Sequence, residues 1–208
     1  MTYRMNISVP PGDGWVWLPT DKPKRSGLLP ALRGKDRDRD RDLPGWAAAT
    51  ARGLLGPQAD PELLGKYTDS LARRAADSRE RGMKLACVWM SEPAGAVAHI
   101  DVSTIHVSRE QPALQLDTLE GQFARRDAAT TRLEVSRVEL PAGPAVRLRR
   151  EWHDGGDSPS DTVVSVTYVC RPPEIKDAVV YTMYWVLVDD PLFTEIADGL
   201  APTLRITT

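Results

Sequence analysis

The chain has 208 residues, 41% of them hydrophobic and 27% charged, with a formal net charge of -2. That length buries roughly 70% of the unfolded surface, so folding needs no staple, and we expect a single domain over residues 1–208. The balance of 27 basic and 29 acidic residues argues against a nucleic-acid binder, and no apolar run approaches the ~20 residues that span a bilayer.

The opening segment alternates weakly, with Tyr3, Met5, Ile7 and Val9 on one parity, and ends in the turn signal Pro10-Pro11-Gly12-Asp13-Gly14. No apolar core of a secretory signal is visible there. Trp15-Val16-Trp17-Leu18-Pro19 follows, which predicts an edge hairpin or an extended lead-in whose pairing the prolines limit. Trp15 and Trp17 share a parity. Core packing is the ordinary use of such a pair; a contact for a partner is the sharper one, because tryptophan is favoured at binding hot spots.

Residues 22–44 differ from everything around them. Eight basic residues against four acidic ones give this stretch a net charge of +4, centred on Lys35-Asp36-Arg37-Asp38-Arg39-Asp40-Arg41-Asp42. Helix would stack like charges at i and i+4, and neither helix nor strand would bury anything apolar. The segment therefore reads as a flexible, solvated loop or linker within the domain. The interleaved aspartates cancel the field that would attract phosphates.

Trp46–Leu55 is alanine-rich and stops at Gly56-Pro57, a short helix. Asp60-Pro61-Glu62 is a helix start, with a capping carboxylate, a proline in the first turn and then an acid. It opens a helix over 61–82 whose apolar face is Leu64, Tyr67, Leu71 and Ala75. The period then changes to two. Leu85–Met90 is apolar on both parities, and residues 96–108 make a long mixed strand. Pro112 opens a helix over 113–125. Residues 131–151 give two strands around Pro141-Ala142-Gly143-Pro144, with Val146 and Leu148 on one face and Arg147 and Arg149 on the other. Thr162–Cys170 and Ala178–Val188 are further strands. Asp190-Pro191 starts a last helix over 190–201, with Phe193, Ile196, Ala197 and Leu200 buried and Asp190 as its cap; Thr203–Thr208 tails off.

Short turns between the strands favour antiparallel pairing, and strands apolar on both parities need cover on both faces. The expected architecture is α+β: an α/β/α sandwich around a central antiparallel sheet. Three stretches carry a family likeness: "MNISVPPGDGWVWLP", "VELPAGPAVRLRR" and "VVYTMYWVLVDDPLFTEIADGLAPTLRI". Together, over residues 3–18 and about 83–207, they resemble a group of uncharacterised actinobacterial proteins with a Mog1/PsbP-like fold. The resemblance implies the same α/β/α sandwich and, since members of the wider fold are mostly accessory factors, a non-catalytic role. It transfers no functional residue, because the matching positions are turns and core strands, and residues 22–44 lie outside it.

The chemistry-bearing motifs are few. No GxSxG elbow, P-loop, GxGxxG, HExxH or CxxC is present. His99 and His106 lie seven apart in one predicted strand and so point to opposite faces. His99 and Asp101 share a face and could form an orienting pair. Asp154, Asp157 and Asp161 sit in a glycine-containing loop, where weak calcium binding competes with plain solvation. Arg147 and Arg149 share a face and would flank an acidic partner or snorkel at a sheet edge. Cys87 and Cys170 read as two buried free thiols.

The sequence thus predicts a cytoplasmic interaction or assembly module without catalytic, cofactor or metal residues. Its candidate contacts for a partner protein are Trp15, Trp17, Arg147 and Arg149. The alternative is a small-molecule binder or enzyme with a site near His99 and Asp101.

Overall fold

A computed structural model of the chain describes residues 3–9, 14–20, 42–91, 95–106, 115–153, 162–187 and 190–207. In chain order the elements are β1 (Arg4–Asn6), β2 (Trp15–Trp17), α1 (Leu43–Leu55), α2 (Pro61–Glu80), β3 (Leu85–Ser91), β4 (Gly95–Ile105), α3 (Leu116–Phe123), β5 (Thr130–Leu140), β6 (Gly143–His153), β7 (Thr162–Cys170), β8 (Ala178–Val186), α4 (Asp190–Leu200) and β9 (Arg205–Thr207), with a 3-10 turn at Ala201–Thr203. Seven strands form one antiparallel sheet in the order β2-β3-β4-β8-β7-β6-β5, and β1 pairs with β9 in a second, two-stranded sheet. The expected α+β architecture with a central antiparallel sheet and flanking helices is present. The chain divides into two compact units, one of residues 1–11 and 98–208, the other of residues 12–97.

In the unit of residues 12–97, α1 and α2 supply the apolar cover. Asp42 caps α1 by accepting a hydrogen bond from the Gly45 amide at 2.8 Å. This helix therefore begins three residues earlier than the sequence suggested. The last aspartate of the charge run is its cap, and Leu43 and Pro44 are its first turn; residues 22–41 lie outside the described residues. Asp60 caps α2 in the same way, through the Leu63 amide at 3.2 Å. Tyr67, Leu71 and Ala75 of α2 pack with Ala47 and Ala51 of α1 against Val16 of β2 and Ala86, Val88 and Met90 of β3. The even-numbered residues of both strands thus face the helices. Gly14 leads into β2 at φ 110°, and a Cβ there would lie 2.7 Å from the Met90 carbonyl and from Trp89 Nε1, so only glycine fits.

In the other unit, the register places side chains in rows across β6, β7, β8 and β4. One face carries the rows Arg147–Tyr168–Tyr181–Val102, Arg149–Val166–Met183–Ile100 and Glu151–Val164–Trp185–Ala98. α4 covers it with Phe193, Ala197 and Leu200, and the Phe193 ring sits 5.8 Å from that of Trp185. The opposite face is covered in part by α3, where Leu119 packs with Val146, Leu148, Val169, Ala178 and Val180. Helices on both faces of the sheet make this unit the expected three-layer sandwich. The β5–β6 hairpin turns at Pro141-Ala142. Gly143 follows at φ 123°, with the Arg171 carbonyl only 2.8 Å from where a Cβ would be.

Two boundaries correct the sequence reading. The opening segment does not form a hairpin with Trp15–Trp17; β1 pairs with the C-terminal β9, Asn6 opposite Arg205, and β2 pairs with β3. Thr203–Thr208 is therefore not a simple tail. β4 stops at Ile105, so His106 is not a strand residue, and the parity argument that set it opposite His99 does not apply.

Candidate functional site

The sequence candidates fall in three places. Trp15 and Trp17 belong to the unit of residues 12–97. Val16 turns inward to the helices, so both tryptophans point to the other face of β2. Trp15 pairs across the strands with Trp89, ring centroids 6.4 Å apart, and Trp17 is 42% exposed. Three indoles thus share one sheet face in this unit. Sequence reading found two of them; Trp89 became visible only through the register.

Arg147 and Arg149 lie in the other unit, under α4. They are not at the sheet edge, because β5 lies outside β6. Arg147 makes a two-pronged pair with Asp198, Nε to Oδ1 and Nη2 to Oδ2, each at 2.9 Å. Tyr168 donates its hydroxyl to Asp198 at 2.6 Å. Burial pushes the Tyr168 phenol well above its usual range, and the Asp198 carboxylate adds to the shift. Arg149 is nearly buried and bridges Glu151 on its own strand and Asp190 on α4, the latter at 2.7 Å. Asp190 is the first helical residue, and its other oxygen accepts from Thr194 at 3.3 Å. Its carboxylate serves as a clamp to the sheet instead of the cap expected for it. Both guanidinium groups are thereby engaged inside the fold.

His99 and Asp101 share a face, as expected, on the side opposite α4. The register extends them into two polar rows, Arg150–Ser165–Tyr184–His99 and Leu148–Thr167–Thr182–Asp101. The His99 and Tyr184 rings stack at 4.8 Å, and the Thr167 and Thr182 hydroxyls lie 3.1 Å apart. His99, Asp101 and Ser165 are all buried. A next row of Trp152, Val163 and Val186 is apolar again. The rows bring hydroxyls, one carboxylate and one imidazole together beside a stacked aromatic pair. Of these groups the sequence pointed only to His99 and Asp101, because the hydroxyls come from strands 60 or more residues away.

Among the described residues, no three His, Cys, Asp or Glu side chains are grouped to hold a metal. The aspartates proposed for calcium, 154, 157 and 161, lie outside the described residues. Cys87 and Cys170 are free and buried, and burial pushes both thiols up to about 12.

No protein-family model matches the sequence, and no curated protein matches it. Among solved structures the chain is similar to LpqN, described as involved in cell envelope biogenesis of Mycobacterium tuberculosis. The TM-score is 0.51 at 12% identity, over 100% of this chain and 85% of that one. At that identity the likeness is one of fold.

Proposed function

We propose that the chain is an interaction or assembly module, of the Mog1/PsbP-like group its sequence resembles, and that it meets a partner protein through the tryptophan face of β2. The observation that carries this reading is Trp17, a large apolar side chain 42% exposed on a strand whose other face is fully packed. An exposed indole beside a second one is the composition of a binding hot spot. Arg147 and Arg149 drop to a supporting role, since their guanidinium groups already hold Asp198, Glu151 and Asp190. The resemblance to LpqN, a protein of cell envelope biogenesis, agrees with an accessory role without specifying a pathway. The free thiols Cys87 and Cys170 support a reducing, cytoplasmic setting, which fractionation of the native protein checks. Among the described residues no helix is long and apolar enough to cross a membrane.

A photo-crosslinking residue at position 17 tests the reading, with exposed Glu62 on α2 as the control position. A discrete protein adduct from position 17 and none from position 62 is expected. Equal adducts from both, or none from either, would overturn it. A second reading rests on the two polar rows around His99 and Asp101, which suit a small polar ligand. Ligand-dependent shifts of the His99 and Tyr184 ring resonances, with those of Trp17 unmoved, would favour it over the first.

A further inference from the structure

Thr104 and His106 flank the last residue of β4, and the chain brings Asp177 to them from the turn before β8. His106 Nδ1 lies 2.8 Å from Asp177 Oδ2, and His106 Nε2 lies 3.2 Å from Thr104 Oγ1. Tyr3 donates its hydroxyl to the same Asp177 oxygen at 2.8 Å and also contacts Thr104. The Asp177 side chain is 16% exposed, whereas the imidazole is 65% exposed. All four residues belong to the unit of residues 1–11 and 98–208.

The donor and acceptor roles follow from the chemistry. An ionised carboxylate only accepts, so in the neutral ring Nδ1 carries the proton and Nε2 presents a lone pair. The Thr104 hydroxyl is then the donor to Nε2. A hydroxyl, a ring nitrogen placed to take its proton and a carboxylate that fixes the ring form the arrangement that activates an oxygen nucleophile. Tyr3 donates to the same Asp177 oxygen and steadies the carboxylate.

We propose that Thr104 is an acyl-acceptor hydroxyl, with His106 as its general base and Asp177 as the positioning residue. The substrate class is an acyl donor with a good leaving group, a thioester or an aryl ester. These four side chains offer no preorganised donor for a developing oxyanion, so the departing group itself must carry the charge well. In the step, a bond forms between Thr104 Oγ1 and the acyl carbon, and the bond from that carbon to the leaving oxygen or sulfur breaks. The threonine proton passes to His106 Nε2 and on to the leaving group. Nothing is oxidised or reduced. The product is an acyl-threonine and a free phenol or thiol.

The full-length chain incubated with p-nitrophenyl acetate tests this. One equivalent of p-nitrophenolate should be released, and peptide mass spectrometry should find the acetyl group on Thr104. Thr104→Val should abolish this labelling. His106→Gln, with its circular dichroism unchanged, should slow it by about 100-fold or more, the low end of what a positioned base contributes. Asp177→Asn should slow it by a smaller factor. Exposed Thr207 is an internal standard in the wild-type molecule and needs no variant to fold. Acetylation of Thr104 no faster than of Thr207 would overturn the proposal, as would wild-type labelling in a folded His106→Gln variant. An acetyl thioester in place of the aryl ester then separates the two donor types.

Discussion

Beneath α4, the two arginines of β6 are answered by carboxylates on the helix and on their own strand. Arg147 meets Asp198, and Arg149 meets Asp190 and Glu151. On the opposite face, α3 packs on the apolar rows around Val146 and Val169, Arg150 donates to the backbone carbonyls of Phe123 and Arg125 at the end of that helix, and the rest of the polar rows shows hydroxyl pairing and ring stacking. The same four strands therefore carry two kinds of surface. The α4 face is a packed interior whose charges are paired, with the Asp198 side chain at its rim still 40% exposed. The α3 face sets hydroxyls, an imidazole and a carboxylate in neighbouring rows of its floor. That difference explains why Arg147 and Arg149, attractive as isolated sequence cues, are structural groups, and why His99 and Asp101 remain the better small-ligand candidates.

The sharpest way to break this comparison is to remove the anchor of α4. Phe193 is buried against Trp185. Phe193→Ala should cost about 3–5 kcal/mol, the sum of lost transfer energy and a cavity under the helix, read by urea denaturation. A neutral result would mean that the α4 face is not packed, and the contrast would fall. The next largest effect belongs to Arg149. Arg149→Ala removes the cation between Glu151 and Asp190, at a site where the arginine side chain is only 9% exposed, and leaves Glu151 with Arg132 alone, 3.8 Å away. A loss of about 2–4 kcal/mol is expected, reduced from a fully buried pair because the carboxylates retain some water. Adding Glu151→Gln and Asp190→Asn to that variant should recover part of the loss. A triple variant no better than Arg149→Ala would show that packing of the arginine stem, not charge, holds the helix.

Much of this architecture was legible in local sequence, and its failures share one cause. Thr162–Cys170 and the start of α2 at Pro61 were readable because alternation and capping chemistry are local. The pairing of Asn6 with Arg205 was not, since nothing in either three-residue strand names a partner at the other end of the chain. Asp42 was hidden by its neighbours: seven preceding charges made it look like the end of a linker, when one hydrogen bond to Gly45 makes it a cap. Asp190 shows the converse. Its Asp-Pro context fits a cap, but a cation two strands of sequence away claims the carboxylate. The polar rows and the cluster of Thr104, His106 and Asp177 are likewise products of register, which no single-segment pattern encodes.

Alkaline titration probes both units at once. Cys170 lies on the α4 face and Cys87 in β3, and burial raises each folded thiol from an ordinary value of 9.0 to about 12. A raised folded value means that the unfolded chain loses these protons first. The stabilising contribution is complete below pH 9 and is lost as the pH rises from 9 toward 12. Denaturation midpoints measured across that window should fall, and the Cys87→Ala, Cys170→Ala double variant should fall less steeply. An identical slope in both proteins would show that the thiols are not buried. Raised Tyr168 contributes a loss of the same sign, which the double variant retains.

The smallest effect on stability separates folding from recognition within a single strand. Val16 and Trp17 are neighbours on β2 and point to opposite faces. Val16 is 7% exposed and packs on α1 and α2, whereas Trp17 is 42% exposed. Val16→Ala removes two buried carbon groups and should cost about 1.5 kcal/mol from transfer alone. Trp17→Ala deletes far more atoms but from a partly solvated site, so its cost should stay within about 0.5 kcal/mol. The ranking inverts what side-chain size predicts, and it matters for function. If Trp17→Ala leaves the denaturation curve in place and abolishes crosslinking of the partner from a probe at position 15, the indole serves recognition. If it destabilises as much as Val16→Ala or more, the tryptophan face of β2 is part of the core, and the polar rows around His99 and Asp101 become the stronger candidate for the site of action.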